Sequence, residues 1–404
     1  VRRKPLQNIR VLEFGGYISA PYASSLLAAL GADVVKVERP GTGEDFRRAQ
    51  DDRSPYFRQY NAGKRSFAVD LKDPRGVELV KEVLPRFDVL LENLRPGKLA
   101  ALGLGPDVCR ELRPDLVYTS VTGFGDGGPL RARAAYDSIG QAVGGIYSIL
   151  SDAGSAQISG TCLADLVTGL STATGILAAL VGRADSGLGE HLQTSMMEAV
   201  STVTIDAITQ FFDDGHTDPA RQSRHPQAQN FCLKTASGED ITLHLSSSQK
   251  FWLALLEAMG RHDLADDPRF VTYARRWDNY FELAEIVQAE FLRKPAREWE
   301  KLLSEADVPF APVLGMGGYL SHPQTEWLEV TEPETDGLAL VRPPWRFSGA
   351  RPERGRVTPR VGQHSREIAA EVCGESRVDA LVAAGVLFTA DTSETSAAER
   401  ETHA

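Results

Sequence analysis

The sequence predicts an α/β protein: a mostly parallel sheet with helices on both faces, joined to a smaller α+β domain. Three observations predict it. Short apolar runs alternate with helical patterns from Arg10 to Val121, the rhythm of parallel strands joined by crossover helices. That rhythm stops before a polar break at Asp213–Arg224, beyond which a hairpin pattern takes over. The chain has 404 residues, more than one hydrophobic core commonly organises.

Each element follows from its own pattern. Arg10–Phe14 is an apolar strand closed by the Gly15-Gly16 turn. Pro21–Leu30 is small and apolar, with Pro21 suited to a first helical turn. Ala32–Val37 is the next strand, and Ser66–Leu71 alternates weakly. Pro74–Leu84 is amphipathic, Asp88–Leu91 is apolar, and helical patterns near Lys98–Ala101 and Asp107–Leu112 precede a strand at Asp115–Val121. Tyr136–Leu150 and Leu166–Val181 read as buried helices separated by polar Ser151–Ser159; a strand at Glu190–Ser195 and a long helix at Met197–Phe212 follow. Past the break, Phe231–Lys234 and Ile241–Leu245 form a hairpin, with helices at Gln249–Met259, Asn279–Phe291 and Ala296–Ala306 and a strand at Pro309–Leu314. Trp327–Gly362 is rich in Pro and Arg and reads as irregular, with short helices at Glu367–Glu375 and Arg377–Ala384. The expected domains are therefore 1–212, 225–325 and a segment 326–390, with a disordered tail at 391–404.

Composition narrows the function. Hydrophobic residues make up 42% and charged residues 25%, which is globular rather than disordered. Lys and Arg total 44 against 55 Asp and Glu, a net charge of −11, which argues against broad nucleic-acid binding. A local basic pocket for a small phosphorylated ligand is compatible with that balance. No membrane span is expected, because the longest candidate, Leu166–Val181, is short and interrupted by Thr168, Ser171, Thr172 and Thr174. The start has no apolar stretch, so no signal peptide is expected. Four scattered cysteines without Cys-x-x-Cys predict neither a disulfide framework nor a metal site and fit a cytoplasmic location.

Several motifs carry candidate chemistry. Gly15-Gly16-Tyr17-Ile18-Ser19-Ala20 stands where a dinucleotide-binding turn would stand, with Glu38 placed to grip a ribose, but Gly-x-Gly-x-x-Gly is absent. Arg39, Lys72 and Arg95 each follow an expected strand. Ligands of doubly wound sheets bind beyond the carboxyl ends of strands, so the three could converge on an anion; taken singly, each could equally be a solvated loop charge. Gly123–Pro129 is either a mobile loop or a long turn. Asp165 stands at the head of an apolar helix, as an N-cap or as an ionised carboxylate in a dry pocket able to act as a nucleophile.

Taken in order, Arg10–Phe14, Leu30–Gly41, Asn61–Lys72, Glu92–Gly97, Ser120–Gly125, Tyr136-Asp137, Asp165 with Thr168-Gly169, Pro309–Leu314 and His322-Pro323 resemble the family III CoA-transferases. The resemblance implies a Rossmann-like large domain plus a smaller α+β domain in an interlocked homodimer, with the C-terminal segment returning to the large domain. It implies coenzyme A thioesters as substrates, an acyl-CoA donor, a carboxylic acid acceptor and no metal. It makes Asp165 the catalytic nucleophile, forming an aspartyl anhydride and then an aspartyl-CoA thioester. The family's CoA contacts map onto Arg39, Val69, Asp70, Leu71, Lys72, Asn93, Leu94, Arg95, Tyr136 and Asp137, with Ser19 among them. Ile18 and Ala101 replace a Gln and an Arg of the family pattern. A family glycine run is replaced by His225–Asn230, so oxalate is not the expected acceptor; His225, Gln227 and Gln229 either bind an acceptor acid or turn the chain into the hairpin. An acyl-CoA racemase of the same fold is the alternative. That chemistry implies a His where Tyr136 stands, and a tyrosine with a reference pKa near ~10 is a poor base at neutral pH.

Overall fold

In the computed structural model, which describes residues 4–333, 335–352, 355 and 357–390, the chain divides into two compact units. The first takes the described residues of Val1–Ile146, Ile158–Asp206 and Glu329–Ala404; the second takes Tyr147–Gln157 and Ala207–Leu328. The expected disordered tail lies outside the described residues.

The first unit is built on a sheet of seven strands: β1 (Arg10–Phe14), β2 (Asp33–Glu38), β3 (Arg65–Val69), β4 (Val89–Glu92), β5 (Val117–Thr122), β6 (His191–Ser195) and β10 (Leu387–Phe388). Their order is β10-β3-β2-β1-β4-β5-β6, parallel except for β10, which pairs antiparallel with β3. Val11 is in register with Val34 on one side and Val89 on the other, so the central strands have no free edge. Period-two alternation sends their side chains to two cores. Leu12, Val35, Phe67, Leu90 and Tyr118 pack beneath the helix Pro74–Val83 and the C-terminal helices Ser365–Ala370 and Glu375–Ala383. Val11, Val34, Val89, Leu91 and Val117 pack beneath the helices Ser19–Ala29 and Leu163–Ser186.

Those last two helices approach closely because Gly169 lies at their contact, where an added Cβ would come 2.7 Å from the Ser19 carbonyl oxygen. The expected helix Leu166–Val181 is longer than its apolar run suggested. It continues through Ser186 to Gly187, whose φ of +70° ends it in the left-handed region that favours glycine. With 24 residues and a mean hydropathy of 1.6 over 18 of them, it is long and apolar enough to cross a membrane, and 44% of that stretch is buried within the protein. One side packs on Ser19–Ala29, while Leu170 and Val181 on the rest are exposed.

Two other expected helices are divided. Tyr136–Leu150 becomes Asp137–Val143 and Ile146–Ile149, separated by Gly144 and by Gly145 at φ +81°. Ile139, Val143 and Leu150 are exposed rather than buried. Met197–Phe212 becomes Met196–Ser201 and Ile205–Asp213. The Thr202 and Thr204 hydroxyls between them donate to the carbonyls of Ala199 and Val200, competing with the helical ladder.

In the second unit β7 (Asn230–Lys234), β8 (Asp240–His244) and β9 (Phe310–Pro312) form an antiparallel sheet in that order. Its core gathers Trp252, Phe270, Phe291 and Trp299, all but fully buried. Trp299 stacks on Phe291 at 4.2 Å and donates its indole N–H to that residue's carbonyl, so the large ring is buried without an orphaned donor.

Candidate active site

The carboxyl ends of β1 to β5 carry the candidate groups. After β1 the chain turns through Gly15, Gly16 and Tyr17 into the helix Ser19–Ala29, and buried charge holds the turn. Lys36 Nζ donates to the Gly15 carbonyl at 2.6 Å, and Glu44 accepts the Tyr17 N–H at 2.8 Å. Tyr17 is at φ +62°, a conformation costly for a non-glycine residue. Beneath the turn, Glu13 accepts from Lys36 Nζ and Lys64 Nζ, each at 2.8 Å, and from the Ser24 hydroxyl at 2.6 Å. All three charged side chains are fully buried. Burial alone would raise the Glu13 carboxyl; Lys36 and Lys64 overrule it and hold the group well below the usual carboxylate range.

Glu38 is similarly occupied. It pairs with the buried Arg47 at 2.6 Å and accepts the Ser66 hydroxyl at 2.7 Å, so it is not free to grip a ribose. Arg47 in turn lies over the Phe57 ring at 3.8 Å.

Asp165 sits inside the first turn of Leu163–Ser186; the N-cap position belongs to Cys162. The Asp165 carboxyl is therefore not spent on capping its own helix. Its backbone N–H donates to Asp137 Oδ1 at 3.1 Å, so the carboxylate serving this helix end comes from 28 residues away. Close packing brings it there: at Gly140, a Cβ would meet Met196 Sδ at 2.1 Å and the Ala164 methyl at 3.1 Å. Asp165 is 9% exposed. Burial and the Asp137 carboxylate push its carboxyl up to about 7, against the hydrogen bond from Ser19. The helix N-terminus acts the other way, favouring the ionised form. The result is a carboxyl poised near neutrality and sheltered from water.

The basic candidates all lie just past strand ends, Arg39 after β2, Lys72 after β3 and Arg95 after β4, and all are exposed. Arg39 donates to the Gly43 carbonyl at 3.0 Å and pairs with Asp45, both partners being more than half exposed. Such a pair is weak enough to exchange for a phosphate. Val69, Leu71 and Leu94 turn their side chains into the first unit's core, leaving backbone as the part open to a ligand. Asp70 accepts the Lys72 N–H at 2.9 Å. Asn93 is tied to the turn after β1: it accepts the Gly16 N–H at 3.0 Å and donates to the Gly16 carbonyl at 2.9 Å and the Ser19 hydroxyl at 3.2 Å. Tyr136 is exposed and meets the Tyr17 ring edge-on at 5.6 Å. Beside Asn93, burial raises Glu92 to about 7, with Ser120 hydrogen-bonded to it and the Asp126 charge nearby.

In the second unit, His225 opens the short helix His225–Ala228 and lies 6.5 Å from the Tyr280 ring. The Gln227 carbonyl accepts from the Tyr273 hydroxyl at 2.7 Å. Gln229 is fully buried at φ +49°, its amide donating to the Pro226 carbonyl at 2.8 Å, a turn-forming arrangement. Among the described residues, no group of three or more His, Cys, Asp or Glu is arranged to hold a metal.

Sequence reasoning did not single out Gln141 or Ser159, which surround Asp137. Gln141 is fully buried, and Ser159 donates to Gln141 Oε1 at 2.6 Å. A glutamine on a short apolar helix carries no local signal of such a role.

The model of CoA-transferase family III matches residues 6–365. The succinyl-CoA:glutarate CoA-transferase of Mus musculus is 30% identical over 95% of this chain and 90% of its own length. The succinyl-CoA–D-citramalate CoA-transferase of Chloroflexus aurantiacus is 32% identical, with 93% and 96% covered. Among solved structures, a CaiB/BaiF family protein from Brucella suis is 30% identical with a TM-score of 0.79, covering 92% of this chain and all of that one.

Proposed function

The chain belongs to CoA-transferase family III, an enzyme family acting on acyl-CoA and a carboxylate, and on that premise we propose that Asp165 carries the transfer covalently. The observation that carries the reading is one carboxyl, nearly buried, raised to about 7 and placed beside Ser19 and Asp137. In its ionised form, Asp165 attacks the thioester carbonyl of the donor, forming a mixed anhydride and expelling CoA thiolate. The thiolate attacks the aspartyl carbonyl, giving an aspartyl-CoA thioester and releasing the donor acid. The acceptor carboxylate attacks that thioester, giving a second anhydride and thiolate. Attack by thiolate on the acceptor's acyl carbonyl then yields the new acyl-CoA and regenerates Asp165. Thioester is exchanged for thioester, so the overall reaction is close to isoenergetic. Water must be kept from the anhydrides, and the low exposure of Asp165 suits that need.

CoA itself is expected to lie along the strand ends, its phosphates drawn to Arg39, Lys72 and Arg95. Arg95→Ala should raise the dissociation constant for CoA about ten- to a hundredfold, the loss of one charged hydrogen bond. Calorimetric titration measures it, and an unchanged affinity removes Arg95 from the site. Succinyl-CoA is the donor to try first, because relatives bearing that name are among the most similar. Incubation of the enzyme with succinyl-CoA and a panel of carboxylic acids, glutarate and citramalate included, should produce new CoA thioesters by mass spectrometry. No new thioester from any donor and acceptor pair would count against the activity.

A homodimer is part of the same proposal. The first unit exposes Val143, Ile158, Leu170, Val181, Met197 and Ile205, an apolar set a lone chain would leave in water. Light scattering at micromolar protein should give about twice 44.0 kDa; a mass near 44.0 kDa overturns the proposal.

A further inference from the structure

Asp137 can serve Asp165 only if its own carboxylate is held, and one side chain holds it. Gln141, one helical turn on, has no exposed surface. Its Nε2 donates to Asp137 Oδ2 at 2.6 Å and to the Thr161 carbonyl at 2.8 Å. Its Oε1 accepts from the Ser159 hydroxyl at 2.6 Å, and that hydroxyl also lies 3.1 Å from the Thr161 carbonyl. Both amide hydrogens and one carbonyl lone pair are thus committed. The other Asp137 oxygen receives the Asp165 N–H. A continuous path runs from Ser159 through Gln141 and Asp137 to the backbone of Asp165, and Thr161, just ahead of that helix, is tied into it. An amide that only filled space would not need donors and acceptor so placed.

We propose that Gln141 is a positioning residue for the transfer reaction: it clamps Asp137 against the Asp165 backbone and secures the Ser159–Thr161 approach to the helix. The proposal rests on the reading of Asp165 as nucleophile. Without the clamp, the Asp137 carboxylate is free to turn toward water. The first turn of the Asp165 helix then loses its capping acceptor, and the nucleophile loses its fixed line of attack. A displacement of about 1 Å at a reacting group can cost on the order of a hundredfold in rate.

The test compares five variants in transfer between succinyl-CoA and an accepted carboxylic acid, or the best pair from the screen. Gln141→Ala should lower kcat about ten- to a hundredfold with a much smaller loss of CoA affinity, since the path includes Asp137 but leaves the phosphate-drawing cations Arg39, Lys72 and Arg95 untouched. Gln141→Glu should be at least as impaired, because a carboxylate then faces Asp137 and the Thr161 carbonyl. The double substitution D137N/Q141E puts an amide donor opposite a carboxylate acceptor again and should turn over faster than Q141E alone. A purely structural role predicts that kcat falls and recovers only in step with the urea unfolding midpoint, whereas positioning predicts a loss of kcat in the folded enzyme at an unchanged midpoint. Ser159→Ala removes only the hydroxyl donated to Gln141 and should give a several-fold loss of kcat; it keeps the test decisive if the buried substitutions do not fold. Wild-type kcat in Gln141→Ala, or in Ser159→Ala where Gln141→Ala cannot be purified, overturns the proposal, as does a double variant no faster than Q141E. Asp165→Asn separates the two readings. If it remains active, the nucleophile assignment fails; if it is dead while Gln141→Ala is normal, only the positioning role fails.

Discussion

Asp165→Asn should lower turnover by about a thousandfold or more, while the protein folds and binds CoA as before. Asparagine is nearly isosteric but forms neither the anhydride nor the aspartyl-CoA thioester. Incubation of the wild type with acyl-CoA alone should yield an adduct that hydroxylamine converts to a hydroxamate on the peptide containing Asp165; the variant should yield none. Turnover near normal, with deamidated contaminant excluded, would defeat the mechanism. The raised carboxyl adds two pH signatures. Only the ionised form attacks, so kcat/KM should climb with pH and level off above about 7. Stability runs the other way. The folded-state value is raised above the ordinary 3.8, so this group's contribution is fully present below about 3.8 and lost as pH rises through about 7. Asp165→Asn removes that dependence. Its stability advantage over the wild type should therefore grow between pH 5 and pH 8, to at most roughly 4 kcal/mol. Urea unfolding at the two pH values measures it, and an advantage that shrinks with pH contradicts the assignment.

The second large effect is on stability. Glu13→Gln should cost about 3–5 kcal/mol, because it leaves Lys36 and Lys64 buried without the carboxylate between them. Glu44, 3.6 Å from Lys36, compensates only in part. Activity should fall as well, since Lys36 also holds the Gly15 carbonyl in the turn leading to Ser19. Glu371→Gln is the control. Glu371 also bridges an arginine, Arg10, but both partners are about a quarter exposed, and the loss should be about 1 kcal/mol. Equal urea midpoints for the two variants would contradict this ranking.

The parallel sheet was legible because its strands, buried on both faces, are near-continuous apolar runs such as Val11-Leu12 and Leu90-Leu91, set at crossover spacing. The helix boundaries were less so. Gly144-Gly145 divides a stretch whose apolar content alone reads as one helix, and two threonine hydroxyls divide another. The edge strand β10 has only two residues, too few for any pattern to emerge.

By itself the sequence determined the alternation of the parallel strands β1 to β5 with helices, the placement of Arg39, Lys72 and Arg95 just past strand ends, the family resemblance, and an aspartate at the head of an apolar helix. The elements follow from periodicity and spacing and the resemblance from motifs matched in order, all of them local features of the chain. Tertiary structure alone decided what surrounds that aspartate. It buries the carboxyl, and it brings the Asp137 carboxylate that caps the helix and raises the pKa, and the Gln141 amide that holds Asp137, from a helix 28 residues away along the chain. It likewise decided that Lys64 and Glu38 are fully engaged in buried pairs. Desolvation and Coulomb energies depend on which groups meet in space, and no pattern along the chain encodes that.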